Sequence, residues 1–156
     1  MCIRDSSSVT PNLDWTGYGG PDHSAAPAQP YWISAGDLYI PAASDDSLGI
    51  IEVPVTVGGK RWGALGTLLP NHWFFKTWLR PTHVTASEQK RLIREWSERF
   101  ERPTFVMFFH SYELMVRTSP YVWNRRMQRS FVNRIAEVLE YVHRNTDVSY
   151  EIGPVQ

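Results

Sequence analysis

Thr104-Phe105-Val106-Met107-Phe108-Phe109-His110 is an almost continuous apolar run of strand length that closes on a histidine. Such runs arise when both faces of a parallel strand are covered, so the segment reads as a buried central strand. Period-two alternation puts Val106, Phe108 and His110 on one face, and Phe105, Met107 and Phe109 on the other, where helices would cover them. In parallel α/β architectures working residues collect where strands end and loops begin, and His110 sits at that place.

Both sides of this run read as helix. Upstream, Thr85-Ala86-Ser87-Glu88 has the form of a capping box; Leu92, Ile93, Trp96 and Phe100 follow at helical spacing, and Pro103 ends the pattern. Downstream, from about Val122 to Arg144, the residues Met127, Phe131, Ile135, Val138, Leu139 and Val142 form one apolar stripe, with Arg134, Glu137, Glu140 and Arg144 on the remaining surface. Residues 48–56 (LGIIEVPVT) read as a strand whose end Pro54 demotes to an edge, with Ile51, Val53 and Val55 on one face and Ile50, Glu52 and Thr56 on the other. Residues 148–152 (VSYEI) read as a last strand. The order strand, helix, strand, helix, strand predicts an α/β protein of parallel βαβ units.

The chain has 156 residues, which suits one ordinary domain. Hydrophobic residues make up 42% and charged residues 21%, a composition that folds around a core. Sixteen basic and sixteen acidic residues cancel, so the chain as a whole lacks the basic footprint of a nucleic-acid binder. Cys2 alone permits neither an internal disulfide nor a Cys-rich zinc site. No apolar run approaches the roughly 18 residues of a membrane span, and the amino terminus lacks a signal-peptide pattern; the compartment stays open. Residues 7–47, rich in Ser, Pro, Gly, Ala and Asp, predict a long loop, and Met1-Cys2-Ile3-Arg4-Asp5-Ser6 looks like the translated adaptor scars found at the start of some metagenomic reading frames.

Several side chains carry two readings. His110 is either a general acid or base working near pH 7 or a structural histidine at a strand end. Glu113, three residues on, either orients that imidazole or is an exposed loop carboxylate. Glu52 is a pocket carboxylate or a solvated edge-strand one. The cluster Trp62, Trp73, Phe74, Phe75 and Trp78, with Arg80 close by, either lines a groove for sugar rings or covers one end of the fold. His23 reads as a solvated loop histidine, His72 and His83 flank the aromatic loop, and His143 lies at a helix carboxy terminus, where a cation suits the dipole. None of these four has a second histidine three or four residues away, as a ligand pair would need. Lys90, Arg91 and Arg94 read as a solvated helix face.

Phe108-Phe109-His110-Ser111-Tyr112-Glu113-Leu114-Met115, followed by Ser119-Pro120-Tyr121 and a long amphipathic helix, resembles the "FHSxELMPG-xSPY" ending of bacterial polysaccharide deacetylase-like proteins, which carry the NodB-type homology domain of carbohydrate esterase family four. Val116-Arg117 stands where that pattern has Pro-Gly. Ser7-Ser8-Val9-Thr10-Pro11 is similar to the "DSSVTP" segment of the family, and Ile51-Glu52-Val53-Pro54-Val55 resembles its "EIPV" strand.

The resemblance implies a deformed (β/α)7 barrel. In it an aspartate and two histidines hold a divalent metal, usually zinc, a second aspartate activates water, and a histidine of the last motif protonates the leaving amine. Only that last role finds a match, on His110, with Glu113 to orient it and Glu52, Trp73, Trp78 and Arg80 as substrate-binding candidates. The Asp-Asp pair and His-x3-His belong upstream of residue 7. Residues 48–156 are therefore expected to be the carboxy-terminal βαβαβ portion of the barrel, with no metal ligands of their own. The expected substrate is an N-acetylated polysaccharide or envelope glycan; the alternative is a noncatalytic glycan-binding or structural piece. Alone, such a half barrel should bind zinc weakly, lack activity and tend to self-associate.

Overall fold

A computed structural model describes residues 5–6, 9–43, 47–61, 65, 68, 76–82 and 84–145. The predicted strand at 148–152 lies outside them, as do Cys2, Trp62, His72, Trp73, Phe74, Phe75 and His83. In chain order the elements are β1 (Asp5–Ser6), β2 (Tyr31–Ser34), β3 (Ser47–Glu52), β4 (Val57–Lys60), β5 (Lys76–Trp78), α1 (Ala86–Arg99) and α2 (Arg125–Asn145). The class is α/β, and none of the described helices is long and apolar enough to cross a membrane.

The sheets depart from the expected parallel βαβ series. One has the order β1-β3-β2, the other pairs β4 with β5. Among the described residues only β1 and β3 run parallel, with Asp5 opposite Ile51; β2 runs antiparallel to β3, with Tyr31 opposite Glu52. The second sheet is antiparallel, with Val57 opposite Trp78. These two small sheets do not close a barrel among the described residues. Asp5–Ser6, set aside as part of the adaptor-like terminus, is thus a strand, and β2 interrupts the predicted 7–47 loop. Tyr31-Trp32-Ile33 carries the aromatic and β-branched side chains that favour a pleated surface, a signal hidden by the loop-forming residues around it.

The strand predicted over 48–56 is also two pieces. β3 stops at Glu52, before Pro54, which has no N–H to give a ladder and biases the residue before it. The chain resumes as β4 three residues after that proline. Gly58 in β4 lies against α1 so closely that an added Cβ would meet Leu92 Cδ1 at 2.3 Å, which is why a side chain is missing there.

The two helices come closest to expectation. Thr85 caps α1 in a full capping box: Glu88 N–H donates to Thr85 Oγ1 at 3.3 Å, and Thr85 N–H donates to Glu88 Oε2 at 2.9 Å. Leu92, Ile93 and Trp96 of α1 meet Val138 of α2 and Leu79 in the main core. On α2, Phe131 and Val138 are buried, but Met127 and Leu139, assigned to the same stripe, are 37% and 50% exposed. At 100° per residue they lie to either side of the Phe131–Val138 line, and the described part of the fold covers only its centre.

The apolar run at 104–110 is not a strand in a ladder. Residues 104–109 are half-buried and His110 is exposed. Its backbone is held by scattered bonds: Thr56 N–H to the Val106 carbonyl at 3.4 Å, and Phe108 N–H to the Leu79 carbonyl at 3.2 Å. A further bond runs from Val106 N–H to Thr56 Oγ1 at 2.8 Å. The predicted alternation nevertheless holds in the side chains. Phe105 and Met107 pack on the helical core, Phe109 meets Phe131 of α2 edge-on at 5.5 Å, and Phe108 turns the other way onto Trp78.

Candidate functional site

Two clusters of polar side chains are joined by a row of rings. Trp15 lies 6.2 Å from Trp78, Trp78 lies 5.7 Å from Phe108, and the Arg80 guanidinium sits 5.0 Å over the Phe108 ring. Of the residues predicted to bind substrate, Trp78 is thereby a buried member of the second hydrophobic cluster, with Leu13, Val55 and Val57.

Two residues past Phe108, the last ring of the row, the chain reaches His110. Its carbonyl accepts the Glu113 N–H at 2.9 Å, opening the 3-10 turn Ser111–Leu114, and its ring stacks on Tyr112 at 5.1 Å with planes 9° apart. The imidazole is solvent-exposed. Glu113 does not orient it. The Glu113 side chain is fully buried and points the other way, where Arg80 Nη2 donates to Oε1 at 2.5 Å and Thr82 Oγ1 donates to Oε2 at 2.7 Å. Arg80 Nε also donates to Thr82 Oγ1 at 3.2 Å. His110 is the N-cap of that turn and has extended backbone (φ −87°, ψ 144°), outside the helical geometry that would set side chains three residues apart over one another, and the Glu113 carboxylate meets Arg80 and Thr82 instead. The expected exposed carboxylate and the expected orienting carboxylate are both replaced by the anion of a buried ion pair. Arg80, expected to meet substrate, is held inside the same pair.

The loop beyond is fastened at both ends. The Thr118 hydroxyl shares its one proton between the Tyr112 and Met115 carbonyls, 2.6 and 2.9 Å away, and Gln128 Nε2 of α2 donates to the Leu114 carbonyl at 2.7 Å. Arg117 takes φ +65°, the left-handed region that favours glycine, while its N–H donates to the Val122 carbonyl at 2.8 Å. Tyr112, Tyr121 and Trp123 expose ring surface on this same segment, a feature that sequence reading centred on the 62–78 cluster overlooked.

At the other end of the row, Glu52 and His23 are both buried, which leaves aside the solvated edge-strand reading of Glu52 and corrects the solvated loop reading of His23. Glu52 Oε1 accepts the Val9 N–H at 3.0 Å. His23 Nδ1 accepts the Thr10 N–H at 3.0 Å, so in the neutral ring the proton resides on Nε2. Thr10 Oγ1 lies 2.9 Å from the same nitrogen and accepts from Trp15 Nε1 at 2.7 Å. Burial pushes the His23 pKa below its usual value, opposed by the nearby Glu52 and Asp22 carboxylates. Tyr31, opposite Glu52 in the ladder, is pushed up to about 12 by burial first and then by the charges of Glu52 and Asp37 and by Tyr39; its hydroxyl donates to the Leu38 carbonyl at 2.8 Å. Thr10, Trp15 and Tyr31 carry no local motif that would have marked them.

Among the described residues no three His, Cys, Asp or Glu side chains gather to hold a metal ion. His23 and Glu52, which interact electrostatically, each accept a backbone N–H group. These residues do not form a ligand set for the metal that the resemblance implies. No family model matches the chain, and neither the curated proteins nor the solved structures contain a significant match to it.

Proposed function

We propose that this chain is the acid-bearing, carboxy-terminal part of a deacetylase-like hydrolase acting on N-acetylated sugars of a bacterial glycan. The observation that carries the reading is the placement of His110: an exposed imidazole at the end of the 104–110 run, on a turn anchored by the buried Arg80–Glu113 pair. Amide hydrolysis needs a proton on the departing nitrogen as the C–N bond breaks, and a protonated imidazole open to solvent supplies it and is recharged from water. Arg117 adds support, because its left-handed backbone occupies the place where the resembled pattern has glycine. Tyr112, stacked on the imidazole, and Tyr121 and Trp123 on the same segment are exposed aromatic residues of the kind that stack on sugar.

The test is acetate release from N-acetylglucosamine oligomers by the protein that extends this chain upstream. His110→Ala should lower turnover by ~10² to 10⁴-fold, with metal content and melting temperature unchanged. Wild-type turnover in a folded His110→Ala protein would overturn the assignment. The noncatalytic alternative rests on the same exposed rings: it predicts glycan binding that Tyr121→Ala weakens and no acetate release by the wild-type protein.

A further inference from the structure

Between the start of α1 and one face of α2 lies an open groove of about 760 Å³, lined by Thr85 and Ala86 on one side and by Arg126, Arg129, Ser130, Asn133, Arg134 and Glu137 on the other. The six α2 residues fall at i, i+3, i+4, i+7, i+8 and i+11, a single face of the helix.

The charge on this face is unbalanced. Three arginines confront one carboxylate, and Glu137 is already bound by Lys90 at 2.5 Å. Neither Arg126 nor Arg129 has a carboxylate partner among the described residues. Arg134 is held in place by donating to the Pro81 and Val84 carbonyls, which leaves its charge uncompensated. The first turn of α2 contains no acidic residue, although the helix dipole there favours anions and opposes the arginines at 125, 126 and 129. Arg125 and Arg129 also repel each other at i, i+4. An anion in the groove would relieve all of these terms together.

We infer that the α1–α2 groove is a binding site for a soluble phosphate-bearing ligand. With Glu137 offset by Lys90, the three arginines present uncompensated positive charge to a phosphate dianion, whose oxygens suit bidentate guanidinium contacts, and Ser130 and Asn133 supply neutral donors. The concave volume is larger than a bare phosphate and leaves room for the group that carries it. This reading is independent of the deacetylase proposal, since His110 does not line the groove.

The experiment is a titration of the purified chain with pyrophosphate, followed by calorimetry and by backbone amide shifts. One-to-one saturable binding is expected, weakening as salt rises, with shifts confined to residues 85–86 and 126–137. R126Q/R129Q should lose at least tenfold in affinity while its ligand-free melting temperature holds or rises, because the cations opposing the α2 dipole are gone. R91Q, which removes a helix-surface arginine outside the groove, should bind as wild type. Non-saturable binding, an equal loss in R91Q, or full affinity in a folded R126Q/R129Q would overturn the site. A sugar monophosphate should compete with pyrophosphate; binding to phosphatidylglycerol vesicles without binding to either soluble phosphate would overturn the assignment to a soluble ligand.

Discussion

Arg80 and Glu113, 33 residues apart in sequence, close a buried ion pair at 2.5 Å beneath the turn that presents His110. The pair ties the end of β5 to the start of the 110–124 segment. Thr82 completes it by donating to the second carboxylate oxygen, so both oxygens of Glu113 are satisfied away from solvent.

Removing one partner leaves the other buried and uncompensated. Arg80→Ala should therefore destabilise the fold by about 3 kcal/mol, and Glu113→Gln, which keeps the shape and part of the hydrogen bonding, by about 1–2 kcal/mol. Urea unfolding of the two variants measures this; equal, negligible losses would show that the pair is not part of the scaffold beneath His110.

His110 itself should be nearly neutral for folding. It is exposed and, among the described residues, its ring contact is the stack with Tyr112, so His110→Ala should shift stability by no more than about 0.5 kcal/mol. A large fall in melting temperature would favour the structural reading of this histidine.

Arg117 sits at φ +65°, where a side chain is strained and glycine is not. The left-handed conformation costs a non-glycine residue roughly 1–2 kcal/mol, and glycine gives back part of that through its freer unfolded chain. Arg117→Gly should raise stability by about 0.5–1 kcal/mol in a denaturant titration, whereas Arg117→Val should lower it.

The close approach of Gly58 to Leu92 makes a double-mutant test. Gly58→Ala forces its new methyl against a fully buried leucine and should cost about 1–3 kcal/mol. Leu92→Val beside it makes room, so the combined variant should be more stable than the sum of the two single losses predicts, by 0.5 kcal/mol or more.

Stability should also depend on pH through His23. Burial holds its folded pKa below the unfolded value of about 6.5, so between those two values the unfolded chain binds a proton that the folded chain does not. The contribution is complete above about pH 6.5 and is lost as pH falls toward the folded pKa. Protonation of Nδ1 would also set N–H against the Thr10 N–H that it now accepts. Unfolding free energy measured from pH 7.5 to 5 should fall in wild type and fall less in His23→Gln.

The local elements were legible because their determinants lie within one helical turn or one pleat of each other. Thr85 and Glu88 are three residues apart and form the capping box, and the spacing from Leu92 to Trp96 defines the buried face of α1. The alternation along 105–109 likewise follows from the backbone period, and holds even without a ladder. The α/β class follows from these local patterns.

Partners at long range were decided only by the tertiary structure. His110 and Glu113 are close in sequence, yet the carboxylate belongs to Arg80 and Thr82, because His110 enters the turn with extended backbone and two side chains from a distant segment meet the carboxylate inside the fold. Spacing leaves Glu52 open between pocket and solvent and makes His23 a solvated loop histidine; both are buried, with Val9 and Thr10 supplying N–H donors from 43 and 13 residues away. The antiparallel pairing of β2 with β3 arises in the same way: β2 finds β3 across a loop whose composition conceals it, and no spacing within either strand encodes that direction. Residue spacing determines which face a side chain takes; what meets that face depends on where the distant chain returns.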